Sequence, residues 1–340
     1  MLRRPVVIGV IVITCLCVFT LTCNLFGWGE ESEDASKANN RTSDDDVIVG
    51  GEDPLESMIL IGEGSFPMGC NDKVSQCKEN ELPRHDVFLS AYYIDVYEVT
   101  NQQYADYLNQ YNPENICDDV YNTASCIVPM ENETRGIYKD NGVWVVHEGY
   151  ENRPVNKVSW FGAKYYCEIF DKRLPTEAEW EKAARYSQYT EDTTDYSYPW
   201  GDSWDPNAAN WFRNGDPYED DPYPQTTPVG YFDGSLKDGY QTSDGTNEAG
   251  LYDMAGNVKE WVHDLYNPRY YSMTPEGGWI NPQGPRTNQA WSDLDMRPCH
   301  VLRGGDFFRN DISRLRTTQR TTSPDSHPFS AGFRCVMDVE

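Results

Sequence analysis

The sequence predicts an α+β domain that is rich in loops and low in regular secondary structure. Three observations carry that expectation. Large aromatic side chains (10 Trp, 23 Tyr and 12 Phe) run through the main body and offer wide surfaces to bury. The 26 Gly and 21 Pro between them interrupt most windows in which a helix or strand could extend. Where periodicity does appear, it is short. At 340 residues the chain is longer than a typical single domain, though single domains of this size occur. A formal net charge of −27 argues against nucleic acid and anionic membrane surfaces as partners.

Residues 1–23 form a targeting segment. Arg3 and Arg4 precede an uncharged apolar run from Val6 to Phe26, the pattern of a secretory signal or membrane anchor. Thr20-Leu21-Thr22-Cys23 resembles a bacterial lipobox in which Cys23 would carry the lipid, although Thr22 departs from the usual small residue. The alternative is an uncleaved transmembrane helix. Both place the body outside the cytoplasm, tethered at its N-terminus; the lipid reading makes it a bacterial lipoprotein on the periplasmic or cell-surface face. Residues 24–56, rich in Glu, Asp, Ser and Asn, read as a disordered acidic linker with a reach of roughly 30 Å. The body is residues 57–340.

Within the body, Met58 to Cys70 reads as a strand entering a turn, and Val87 to Val96 alternates like a strand. Thr100 caps a helix from Asn101 to Asn109. Residues 113–149 are polar and irregular, a surface insertion. Ser159 caps a second helix whose apolar stripe is Ala163, Tyr166, Cys167 and Phe170. A third begins at Thr176, where Thr176 and Glu179 make a capping box. Residues 187–249 show little periodicity. Val301 to Gly305 is a strand running into a glycine turn, and Ala331 to Val336 is the closing strand. His263, after Trp261-Val262, sits at a helix end or on the surface. In an exported protein disulfides are the default for cysteine, and Cys70–Cys77 and Cys117–Cys126 would close short loops. Zinc is the rival reading, but no pair has CxxC spacing and no histidine is close.

The run from Gly250 to Trp261, GLYDMAGNVKEW, sets the oxygen donors Asp253 and Glu260 on either side of a glycine turn. Carbonyls of Gly256 and Val258 can join them, and oxygen-only donors in one irregular loop suit Ca²⁺. An ordinary turn with two solvated carboxylates is the alternative. This run resembles a signature of the formylglycine-generating enzyme, or sulfatase-modifying factor, family. So do Lys172 to Glu181 (KRLPTEAEWE), Pro199-Trp200-Gly201, Ala209-Asn210-Trp211, Thr227-Pro228-Val229-Gly230, Arg303-Gly304-Gly305 and Gly332-Phe333-Arg334-Cys335. The resemblance implies a variant of the C-type-lectin-like fold over Met58 to Met337. It also implies a disulfide Cys167–Cys335 and two calcium sites. One would use Asp253, Glu260 and the carbonyls of Gly256 and Val258. The other would use Asn210 and Asp221 with the carbonyls of Trp211 and Tyr223.

The family's reaction oxidises a substrate cysteine to formylglycine on copper held by two cysteines after the Arg-Gly-Gly turn. Here Arg309 and Arg314 stand at those positions. A guanidinium has no lone pair to give and cannot ligate copper, so copper is not expected. Arg303, Arg309, Arg314, Arg316 and Arg320 instead crowd one stretch of an acidic chain. They either pair with its surplus carboxylates or grip an acidic peptide or glycan. Two functions remain. One is a calcium-stabilised binding lipoprotein that holds an exported protein, peptide or glycan at the cell surface. The other is a formylglycine-generating or related oxidase acting on exported sulfatases.

Overall fold

The computed structural model describes residues 57–71, 77–111, 136–185, 196–219, 225–273, 278–286, 299–308, 310–324 and 330–340. The chain divides into two units, Met1–Asp46 and Val47–Glu340, and all described residues fall in the second. The architecture is α+β, with three helices and several small sheets among the described residues.

The expected first strand is two: β1 (Met58–Ile61) and β2 (Gly64–Met68), broken before Gly64, whose φ is +140°. The alternating run after it also splits, into β3 (His85–Leu89) and β4 (Tyr92–Asp95). Thr100 then starts α1 (Asn101–Tyr111). Its Oγ1 accepts from Gln103 N at 3.2 Å, and Gln103 Oε1 accepts from Thr100 N at 2.9 Å, a reciprocal cap. The expected irregular insertion ends in a hairpin, β5 (Ile137–Asp140) and β6 (Val143–Val146), turned by Asn141-Gly142 with both φ positive. Asn-Gly is a strong hairpin signal, and Ile137-Tyr138 before it and Val143-Trp144-Val145-Val146 after it are strand formers, so this hairpin was readable in the sequence.

Ser159 Oγ accepts from Gly162 N at 3.0 Å and opens α2 (Trp160–Ile169). Ala163, Tyr166 and Cys167 are buried as the stripe requires, whereas Phe170, at the C-cap, is 40% exposed. Thr176 and Glu179 make the expected capping box of α3 (Glu177–Ala184). Every residue of α3 is buried, including Glu177, Glu179, Glu181 and Lys182. Charges are tolerated at such depth only when paired and hydrogen-bonded, which makes this helix the hub of the site below.

A second hairpin missed in sequence, β7 (Leu236–Lys237) and β8 (Tyr240–Gln241), turns on Asp238-Gly239. The run with Glu260 continues as β9 (Lys259–Leu265), so His263 is an exposed strand residue and not a helix end. β10 (Cys299–Arg303) and β11 (Thr321–Pro324) follow, and the closing strand is two pieces, β12 (Ala331–Gly332) and β13 (Val336–Asp338). Among the described residues the strands assemble as a sheet β1-β4-β13, a sheet β11-β10-β9-β12 in which β12 runs parallel to β9, and three two-stranded antiparallel pairs, β2-β3, β5-β6 and β7-β8.

Among the described residues two large apolar clusters form the core, with a small third of Tyr198, Ala255 and Leu315. Tyr104, Tyr107, Tyr166, Trp261 and Phe333 lie in one, beside Cys167 and Cys335, which are joined in a disulfide. Trp180, Ile94, Leu251, Met254 and Val336 lie in the other. Cys70 and Cys77 are also bonded. The expected pair Cys117 and Cys126 lies outside the described residues, as does Cys23. Cys299 is buried on β10.

Candidate functional site

β10 delivers Arg303 to the end of the sheet, and Gly304 and Gly305 reverse the chain with φ of +85° and +77°. A Cβ on Gly305 would lie 2.6 Å from Leu315 and 2.7 Å from the Arg314 carbonyl, so close packing as well as the backbone demands glycine there. The turn is tied to the Gly250–Trp261 loop. Gly256 N donates to the Gly304 carbonyl and Phe307 N to the Asn257 carbonyl, each at 2.9 Å.

Arg303 was a candidate ligand-gripping residue, and the structure corrects that reading. Its side chain is fully buried. Nη1 donates to Glu177 at 2.8 Å, Nη2 to Glu181 at 2.7 Å, and Nη2 also to the Thr317 carbonyl. Arg320 holds both oxygens of Glu177 at 2.6 and 2.7 Å, and Arg316 both oxygens of Glu81 at 2.8 Å. Burial pushes the Glu177 carboxyl up, but Arg320 and then Arg303 more than offset it and hold it below the usual range. Three of the five clustered arginines are therefore structural. Their partners sit on α3 and before β3, far away in sequence, so the stretch itself carried no sign of the pairing. Arg309 lies outside the described residues. Arg314 has a side chain 42% exposed.

Beside the turn is a cleft of about 220 Å³ lined by Lys259, Arg303, Asp306, Arg314, Gln319 and Thr321 among others. Asp306 is buried at its base. One of its oxygens accepts from Lys259 Nζ and Ser330 Oγ, the other from Phe308 N at 3.2 Å.

The predicted calcium residues come together in part. The backbone is left-handed at Asp253, Gly256 and Asn257. A Cβ on Gly256 would lie 2.2 Å from the Asn210 carbonyl, which accepts from Asn257 N at 2.9 Å. The loops of the two expected sites thus pack backbone to backbone. Asp253 Oδ2 accepts from Gly230 N at 2.7 Å, and burial pushes its carboxyl up to about 6. Glu260 is fully buried and accepts from Arg334 Nε and Nη2, each at 2.8 Å, and from Trp180 Nε1 at 2.9 Å. Of roughly four lone-pair positions on a carboxylate, three are filled. Asn210 donates from Nδ2 to the Gln225 carbonyl at 2.8 Å; Trp211 is half-buried, and Asp221 and Tyr223 lie outside the described residues.

Sequence reasoning missed Glu98. It is buried and accepts from Val258 N at 3.1 Å and Asn257 Nδ2 at 2.8 Å. Burial, then Asp253 and Glu260, push its carboxyl well above the usual range. A lone Glu between Tyr97 and Val99 gave no signal. Glu98, Asp253 and Glu260 thus share one fully buried cation, Arg334, and burial with mutual repulsion favours the neutral form of Glu98. Among the described residues no group of three or more His, Cys, Asp or Glu side chains is arranged to hold a metal, so carbonyl donors would have to complete such a site.

The architecture and its sewn-together glycine turns define a loop-rich α+β scaffold built to present a cleft at the Arg-Gly-Gly turn. The chain belongs to the sulfatase-modifying factor enzyme 1-like domain family, whose model matches residues 46–339. It is 32% identical over 284 residues to the serine/threonine-protein kinase pkn1 of Chlamydia caviae; the match covers 83% of this chain but only 38% of that protein. It is 30% identical over 310 residues to the formylglycine-generating enzyme of Thermomonospora curvata, covering 83% of this chain and 94% of the relative. The solved structure of PvdO from Pseudomonas aeruginosa shares the fold, with a TM-score of 0.55 at 22% identity over 83% of this chain and 94% of that one.

Proposed function

We propose that this chain is a non-catalytic member of its family. In this reading it is a calcium-stabilised domain, tethered outside the cytoplasm by its N-terminus, that binds an exported protein, peptide or glycan at the cleft beside the Arg-Gly-Gly turn. One observation carries the reading. Arg314, at the position where the resemblance expects the second copper-binding cysteine, presents a half-exposed guanidinium at the rim of the cleft. Arg309 occupies the first cysteine position in the sequence. Soft thiolates suit Cu(I), and an arginine offers it nothing. Among the described residues the remaining cysteines do not supply a substitute pair. Cys70, Cys77, Cys167 and Cys335 are in disulfides, and Cys299 lies buried on β10 ahead of the turn.

Calcium would be held by Asp253 and one free position on Glu260, with the carbonyls of Gly256 and Val258. Asn210 and Asp221, with the carbonyls of Trp211 and Tyr223, would form the second site. Bound there, it would neutralise buried carboxylates and lock loops that little regular structure supports. The second reading, an oxidase acting on a cysteine of exported sulfatases, is favoured by the 30% identity to a formylglycine-generating enzyme of which this chain covers 94%. The deciding experiment incubates the purified chain with Cu(I), oxygen and a sulfatase-type cysteine peptide, with formylglycine read by mass spectrometry. No conversion is expected; turnover would overturn the non-catalytic reading.

A further inference from the structure

The acid lining the cleft is already spoken for, as are Lys259, which donates to it, and Arg303, which is held by Glu177 and Glu181; Arg314 is not. Asp306 has both oxygens hydrogen-bonded and is 1% exposed, so it offers a ligand almost no surface. The Arg314 guanidinium pairs with Asp311 through Nε at 3.5 Å, and among the described residues no hydrogen bond engages its two terminal nitrogens. Arg303 lines the cleft too, but its side chain is sealed from solvent and held by Glu177, Glu181 and the Thr317 carbonyl.

A neighbouring lysine is held to the same rim. Lys78 donates to Gln319 Oε1 at 2.6 Å, and Gln319 lines the cleft. Burial pushes the Lys78 ammonium below its ordinary range, and Arg314 pushes it in the same direction. Although the whole chain carries −27, at physiological salt the field of distant carboxylates is screened within about 8 Å. What a ligand meets at the rim is the open guanidinium, with Thr321 and Ser323 of β11 beside it.

We propose that this cleft is a carboxylate-binding site, in which Arg314 grips the two oxygens of an acidic group as a fork. The proposal rests on the binding reading above and names its ligand class. Paired N–H donors in one plane match a carboxylate and give two charge-assisted hydrogen bonds. A volume of about 220 Å³ lies below the usual small-molecule pocket range of about 300–1,000 Å³. It therefore suits one acidic side chain of a peptide or a small dicarboxylic acid, not a large cofactor.

The test uses the full chain in detergent and fluorescein-labelled hexaglutamate, followed by anisotropy at 0.15 M salt, with succinate as competitor. Saturable binding is expected, weakened at least tenfold in Arg314→Glu and unchanged in Arg269→Glu, which makes the same charge change at another exposed arginine. Displacement by succinate would assign the site to free small acids; peptide binding that succinate does not disturb would assign it to acidic side chains. Absence of binding by both probes overturns the proposal, as does equal binding by wild type and a folded Arg314→Glu, or equal weakening by both variants. Failure here and failure of the parent reading are separable. Formylglycine production would overturn the non-catalytic reading whatever hexaglutamate does, while a chain without turnover that ignores hexaglutamate overturns only the carboxylate assignment.

Discussion

Replacing Arg303 with Met tests whether the arginine stretch holds the fold or the ligand. Arg303 bridges Glu177 and Glu181, and all three side chains are essentially sealed from solvent. Without it, Glu177 keeps Arg320 at 2.6 and 2.7 Å, and Glu181 keeps Arg185 at 2.9 Å and Gly69 N at 2.7 Å. One positive charge is then missing among buried acids that also include Asp264. Breaking a buried pair costs about 3–5 kcal/mol, and the surviving partners place this case near about 3 kcal/mol at pH 7. The dependence on pH has a definite sign. Because Glu177 is held below its ordinary value of 4.5, the stability it contributes is present above that value and is lost as pH falls through its folded value. The gap between wild type and Arg303→Met should therefore be widest at pH 7 and narrow below about pH 4.5. Urea unfolding followed by tryptophan fluorescence at pH 7 and pH 4 measures it. If the variant lies within about 1 kcal/mol of wild type at pH 7, the network does not carry the load argued for it.

Three further outcomes follow from other parts of the molecule. Chelation should lower the melting temperature, and Asp253→Ala or Glu260→Ala should remove that sensitivity; identical melting with EGTA and with Ca²⁺ would reduce the oxygen clusters to turns. Replacing Cys167 and Cys335 with Ser removes a link spanning 168 residues, which the chain-entropy model values at about 5 kcal/mol, and a double variant that melts like wild type would contradict this. Cys23→Ala should release the chain from membranes if lipid is the anchor; continued membrane partitioning would support the transmembrane alternative.

Much of the frame was legible locally because its signals are local. Ser159 and the Thr176–Glu179 box start helices by bonding to amides two or three residues away, so their chemistry can be read in a short window. The division of Val87 to Val96 and of Ala331 to Val336 into separate strands was not legible. Alternation of apolar residues reports which side is buried and not where a ladder breaks. The Asn141-Gly142 turn was visible, with strand formers on both sides, whereas Asp238-Gly239 joins strands of only two residues each, too short for alternation to show.

By itself the sequence determined the α+β, loop-rich class and the helix caps, and it placed arginines where the resemblance expects copper-binding cysteines. Those are properties of residue type and near-neighbour spacing. Only the tertiary structure decided what the charged residues do. Arg303, Arg316 and Arg320 became buried struts because Glu177 on α3 and Glu81 come to meet them across more than a hundred residues of chain, while Arg314 was left with an open fork. Glu98 joined Asp253 and Glu260 for the same reason. A charge has no preferred partner in sequence, and its energy is set by distance and by the water excluded around it, both of which exist only once the chain has folded.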